Sequence, residues 1–277
     1  AMTLRAVRTY AAQVTAVVAT ADDGGSSGRV RAQLDMPAPG DLRRCLTALA
    51  EDERLAADLE HRFGGTGDLA GHAVGNLLLA GLVDAGDDLA GAAARVGRWL
   101  GLDPASARVL PATVEPVSII AATPTGPVRG QVAVEDAPAV TAIALDPPAP
   151  RPPTEVLAAV AAADQVVIGP GSFLTSILST VAVPALRDAL SATDADVVLV
   201  ANLHEADRRP VDTDGHLALL EGHGVSVDHV VVDPTMRRPV GSPPDVVIAA
   251  VARPHGFAHD AELLGPVLAT LAGSETE

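Results

Sequence analysis

The chain has 277 residues, 48% of them hydrophobic, enough to build one large core or two smaller ones. Its formal net charge of −16, with all 19 basic residues arginine, excludes a general nucleic-acid surface, a phosphate-loop lysine and a lysine Schiff base. No apolar stretch approaches the roughly 20 residues that span a bilayer, no secretion signal opens the chain, and a lone Cys45 makes no internal disulfide, so composition points to a cytoplasmic protein without a membrane partner.

The first strand is predicted at Val14 to Thr20. It empties into Asp22-Asp23-Gly24-Gly25-Ser26-Ser27-Gly28-Arg29, where the glycines let a ligand approach the backbone closely. Asp22 and Asp23 are placed either to take ribose hydroxyls, as acidic residues at strand ends commonly do, or to hold a divalent cation such as Mg²⁺. Helices follow at 41–50 and 52–62. Asp41 reads as a helix cap or a ligand contact, and Arg43 as a phosphate contact or a solvated side chain. Cys45, with Leu42, Leu46 and Leu49 at helical spacing, reads as a core thiol, and Glu51-Asp52-Glu53 as a first turn favoured by the helix dipole. Further helices are predicted at 73–84 and 89–100. His72 and Asn76 stand four residues apart at the first of these, able to hold one ligand together or to serve as structural caps. Their spacing lacks the further ligands that zinc requires.

From Thr113 to Leu145 short β-branched runs alternate with proline and glycine, which predicts hairpins forming a small β insertion, 113–150, closed by the proline-rich connector Asp146 to Pro153. A helix is predicted at 154–162 and a strand at Gln165 to Ile168. The latter opens into Gly169-Pro170-Gly171-Ser172 before an apolar helical pattern, so the backbone amides, Ser172 and Thr175 can hold a phosphate, or the glycines can make a plain tight turn. Strands at 197–201, 227–232 and 246–250 and a helix at 260–271 complete the alternation. Asp207-Arg208-Arg209 and Arg237-Arg238 read as surface loops. The pattern predicts a Rossmann-like, doubly wound, mostly parallel α/β sheet in one domain, 1–277, carrying the β-hairpin insertion.

Four segments in order make the chain resemble the YvcK/CofD-like family, the gluconeogenesis factors that bind UDP-sugars. They are Ala21 to Val30 with Pro37 to Arg43, Leu69 to Leu79, Val109 to Thr113, and Ile168 to Ser176. The chain departs from the family at Gly130-Gln131-Val132 and at Asn202 to Pro210. The resemblance also implies an opening strand and a glycine-rich loop ahead of Ala1.

What the resemblance implies is a regulator that binds UDP-N-acetylglucosamine and links carbon metabolism to cell-wall synthesis and cell shape, with a cell-wall precursor enzyme as partner. A homodimer is compatible with it. The implied contacts are Asp22, Asp23, Gly24, Gly25, Ser26, Ser27, Gly28, Arg29, Asp41, Arg43, His72, Asn76, Gly169, Gly171, Ser172, Thr175 and Asn202. The alternative is a Mg²⁺-dependent transferase similar to 2-phospho-L-lactate transferases, with Asp22 and Asp23 on the metal. The residues themselves present no nucleophile with an activating base, which favours binding over turnover.

Overall fold

The computed structural model describes residues 1–203, 212–240 and 244–273. After α1 (Met2–Val7), β1 (Val14–Val18) forms where apolar, β-branched residues predict it. It pairs in parallel with β2 (Ala107–Pro111), a strand the periodicity does not announce because Arg108 interrupts its apolar run and Pro111 ends it. Between them come α2 (Gly25–Arg31), α3 (Gly40–Leu49), α4 (Glu53–Glu60), α5 (Val74–Asp84) and α6 (Leu89–Trp99). Asp52 and Asp88 start α4 and α6 by accepting from Leu55 N at 2.9 Å and Gly91 N at 2.7 Å. The helices close over β1 and β2 around Leu42, Leu46, Leu79, Val96 and Val109. Cys45 packs against this core half-buried, and burial pushes its thiol up to about 11.

The insertion is antiparallel, as predicted: β3 (Ser118–Ala122) lies between β4 (Val128–Arg129) and β5 (Ala142–Asp146). It also carries an unpredicted short helix, α7 (Gln131–Glu135). The second half alternates α8 (Thr154–Ala161), β6 (Gln165–Ile168), α9 (Leu178–Val181), α10 (Pro184–Ser191), β7 (Asp196–Val200), α11 (Thr213–Gly222), β8 (His229–Val232), β9 (Asp245–Ile248) and α12 (Ala261–Ala272). A π-helical turn, Phe173–Ile177, leads into α9. β6 to β9 form a parallel sheet in chain order.

The fold is α/β with parallel strands and flanking helices, compatible with a Rossmann-like architecture. In one respect it differs from the prediction: the parallel strands lie in two sheets, β1-β2 and β6-β7-β8-β9, instead of one. β1 and β6 both line a cleft of about 1520 Å³. No single helix among the described residues is long and apolar enough to cross a membrane.

The insertion shares its core with the second sheet. Ile119, Val134 and Leu145 cluster with Leu178, Leu199 and Val230. Ile119→Ala is therefore expected to cost about 2–5 kcal/mol within one calorimetric unfolding transition; a separate low-temperature transition for the insertion would contradict the shared core.

Candidate functional site

The two glycine-serine segments noted in the sequence follow β1 and β6, at the carboxyl ends of parallel strands where open α/β sheets place ligands. They line one cleft. Gly24, Gly25, Ser26 and Ser27 lie on it together with Gly169, Gly171 and Ser172. Asp22, Asp41, Arg43 and Asn76 also reach its wall, whereas Asp23, Gly28, Arg29, His72, Thr175 and Asn202 do not line it.

The first segment is not a free loop: α2 begins within it at Gly25. Glycine and serine are poor helix formers, so this short helix is held by its surroundings. Gly28 approaches the preceding turn so closely that a Cβ there would stand 1.9 Å from the Asp23 carbonyl oxygen. Asp22 accepts from Gly24 N at 2.9 Å, closing a local turn. Arg31 donates to the Asp22 carbonyl at 3.2 Å and to Val117 O at 2.6 Å, and the buried Thr20 and Thr113 hydroxyls meet at 2.7 Å. These bonds tie the segment to the chain that enters the insertion.

Asp23 points away from its neighbour. Its carboxylate accepts from Gln131 N at 2.9 Å and Val132 N at 3.1 Å, the first amides of α7. Asp22 and Asp23 therefore diverge, and no group of three or more metal-binding side chains occurs among the described residues. Asp22 and Asp41 line the cleft beside the first segment, and Glu135, Asp164, Asp194 and Asp196 line it elsewhere. Burial pushes the Asp41 carboxyl above its ordinary value against the opposing charge of Arg44, and Asp22 adds to the rise. Asp41 pairs with Arg44 at 2.9 Å and does not cap its helix, so the capping alternative is replaced by an ion pair.

His72 and Asn76 do meet, on Ser26. Ser26 Oγ lies 3.0 Å from His72 Nδ1 and accepts from Asn76 Nδ2 at 3.0 Å. Arg43 donates to Asn76 Oδ1 at 2.9 Å, which fixes the Asn76 amide with its nitrogen toward Ser26. Ser26 Oγ also accepts from Ala73 N at 3.4 Å, so with both lone pairs engaged the hydroxyl donates to Nδ1, and the imidazole carries its proton on Nε2. Burial, helped by Arg29 and Arg62, pushes His72 below its ordinary range and keeps it neutral. Arg43 is also held by Glu60, through Nε at 3.1 Å and Nη2 at 3.1 Å. Sequence reasoning finds His72, Asn76 and Ser26 but neither Glu60 nor a serine hydroxyl against an imidazole.

Arg29 is spent on the 63–71 loop, donating to Ala70 O at 2.7 Å. In the second segment, Asn202 brackets Gly171, accepting from its N at 3.2 Å and donating to its O at 3.0 Å. Asn202 thus positions the loop, and Gly171 N is engaged. The buried Thr175 hydroxyl faces Glu135 at 3.5 Å. Behind the loop, Phe173 stacks on His216 with centroids 3.8 Å apart. Asp207, Arg208 and Arg209 lie outside the described residues.

An α/β protein with paired glycine-serine segments at one cleft is the class that this geometry defines. The chain belongs to the CofD family, whose model, described as 2-phospho-L-lactate transferase CofD, matches residues 1–242. It is similar to the putative gluconeogenesis factor of Mycobacterium tuberculosis, 40% identical over 96% of this chain and 85% of that one. The gluconeogenesis factor of Bacillus subtilis is 36% identical over 72% of this chain and 63% of its own. A crystal structure of a Bacillus halodurans protein superimposes with a TM-score of 0.86 at 30% identity, covering 96% of this chain and 94% of that one.

Two outcomes follow from the geometry. Asp23→Asn retains one acceptor oxygen for two amides and is expected to lose about 1–2 kcal/mol of stability, read by urea titration; an unchanged midpoint would show that the α7 clasp is immaterial. His216, pushed by burial down to about 4, is buried in its neutral form, so the stability it contributes is complete above its unfolded value and lost as pH falls from about 6.5 toward 4. His216→Phe should flatten that part of the stability profile relative to the unsubstituted protein, and parallel profiles would refute it.

Proposed function

We propose that the chain is a gluconeogenesis-factor-type regulator that binds a UDP-sugar, with UDP-N-acetylglucosamine as ligand, at the mouth of the cleft. The observation that carries this reading is that Gly24 to Ser27 and Gly169 to Ser172 line one cavity. Amides and hydroxyls at a strand-to-helix junction suit a diphosphate. Asp22, on the same wall, suits ribose or sugar hydroxyls. In this reading the protein senses precursor supply in the cytoplasm and acts on a cell-wall precursor enzyme. Asp23, His72 and Asn202 contribute by positioning α7, Ser26 and Gly171.

The description of the matching family model supports a second reading, a transferase using Mg²⁺. Asp22 and Asp41 would be its oxygen donors, since the Asp23 carboxylate is engaged with α7. Hard cations of this kind take few protein carboxylates and complete their shell with water and phosphate.

Titration calorimetry with UDP-N-acetylglucosamine, UDP, ATP and NAD, repeated with and without Mg²⁺, separates the readings. Tightest binding of the UDP-sugar without product formation is the expected result. Preference for ATP or NAD would overturn the UDP-sugar assignment, and turnover of an added acceptor would favour the transferase.

A further inference from the structure

α7 bridges the two glycine-serine segments. At its start, Asp23 accepts from Gln131 N and Val132 N, and Val132 Cγ2 would stand 3.3 Å from a Cβ on Gly24. At its end, the Thr175 hydroxyl lies 3.5 Å from Glu135 Oε1. Gln131 and Glu135 both line the cleft, and four residues apart on a helix they share one face. Gly130-Gln131-Val132 is also one of the two places where the chain departs from its family's pattern, so the resemblance assigns this wall no role.

Asp23 occupies the first amides of α7, so what the helix offers the cleft is side chains. Gln131 Nε2 donates to Glu135 Oε1 at 3.0 Å, which fixes the amide with its nitrogen toward the carboxylate. Gln131 Oε1 is left buried and without a hydrogen-bond partner. Buried oxygens are nearly always paired, because an unmade bond forfeits the water given up. Glu135 receives its two bonds on Oε1, and Oε2 makes none among the described residues. Gln131 as a whole is half-buried, so a shift of its side chain, with α7 held by Asp23, brings its oxygen to the cleft surface.

Donors and acceptors are thus segregated around the cleft. The segments present amides and serine hydroxyls, which suit phosphate, whereas α7 presents oxygens, one of them on a carboxylate that repels phosphate. A bare polyphosphate leaves the α7 wall unsatisfied. A ligand with hydroxyls next to its phosphates satisfies both sides.

We propose that Gln131 and Glu135 are specificity-determining residues whose side-chain oxygens receive the hydroxyls of a sugar ring esterified to the phosphates held by the two segments. This assignment rests on the ligand site proposed above and adds the wall that reads the sugar. Such hydroxyls come from the ribose of a nucleotide or from a sugar beyond its diphosphate, and the two are separable by experiment.

Gln131→Met keeps the side-chain length and removes the acceptor. Titration calorimetry in EDTA, so that no cation mediates, compares it with the parent chain on pyrophosphate, UDP, UDP-N-acetylglucosamine and ATP. UDP-N-acetylglucosamine should bind the variant about tenfold more weakly, the loss of one hydrogen bond, while pyrophosphate changes by less than about twofold. Glu135→Gln, which removes the charge and keeps the shape, should weaken the same ligand and bind pyrophosphate at least as tightly as the parent. A loss shared by UDP assigns the ribose to this wall, and a loss confined to the UDP-sugar assigns the sugar. If the parent binds ATP alone and Gln131→Met weakens it, the UDP-sugar reading falls and the α7 assignment stands. If both chains bind the UDP-sugar equally, or the variant loses pyrophosphate to the same degree, the assignment falls and the ligand reading stands. Thermal melting separates a ligand contact from a structural bond: removing an unpartnered oxygen should lower the melting temperature by no more than about 3 °C. A larger fall would place Oε1 in the packing of α7 and overturn the assignment, as would failure of every hydroxyl-bearing probe to bind the parent.

Discussion

A buried guanidinium organises the first half of the molecule. Arg43 is 2% exposed, and an unpaired charge at such depth costs several kcal/mol. Its donors must therefore find partners, and they are Glu60 at the end of α4 and Asn76 in α5. Asn76, oriented by that bond, reaches Ser26 in α2, and Ser26 reaches His72. Four helices are thereby tied to one cation. Gly75 belongs to the same solution, because a Cβ there would lie 2.8 Å from Arg43 Cγ. The His72-x-x-Gly75-Asn76 spacing is thus a packing arrangement around Arg43 as much as a feature of the cleft, and it immobilises the serine that the cleft presents.

Much of the fold was legible because its information is local. β1, β6, β7 and β8 are apolar runs bounded by turn residues, and α4 and α6 fall within the helical patterns at 52–62 and 89–100. α2 and α7 were not legible, since neither owes its existence to local propensity. α2 is written in glycine and serine. α7 starts at Gly130 with φ +93° and is fixed by a carboxylate 108 residues earlier in the chain. The site divides along the same line. Asp23, His72 and Asn202 are conspicuous as polar residues at element ends, but nothing in their spacing reveals that the Asp23 carboxylate, His72 Nδ1 and the Asn202 amide are engaged with protein. A carboxylate facing a ligand and one facing a distant helix look alike in one dimension.

That division changes how the loop after β1 is supported. In a continuous sheet, pairing on both sides would hold β1 and hence the loop that follows. Here β2 holds one side, and the loop is secured by side-chain crosslinks: Thr20 to Thr113, Arg31 to Val117, and Asp23 to α7. All three lead toward the insertion, which itself packs into the core of the second sheet. The insertion therefore couples the two sheets and places the β1 loop relative to the β6 loop.

The disposition of charge sets what such a cleft can recognise. Arginine is the only cationic side chain in the sequence besides histidine, yet near the glycine-serine segments it is already committed, whereas Arg108, which lines the cleft beside Thr15, keeps a buried Nε without a partner. Arg29, Arg31 and Arg62 donate to backbone carbonyls, Arg43 to Glu60, and Arg44 to Asp41. An anionic group entering beside the two glycine-serine segments meets no uncommitted guanidinium among these five. It must rely on backbone amides and serine hydroxyls, whose bonds are weaker and more directional than an arginine fork. Negative charge alone is then poor bait, particularly on a chain whose net charge is −16. Affinity has to come from many oriented bonds to neutral groups, which favours a ligand rich in hydroxyls attached to its phosphates over a bare polyanion.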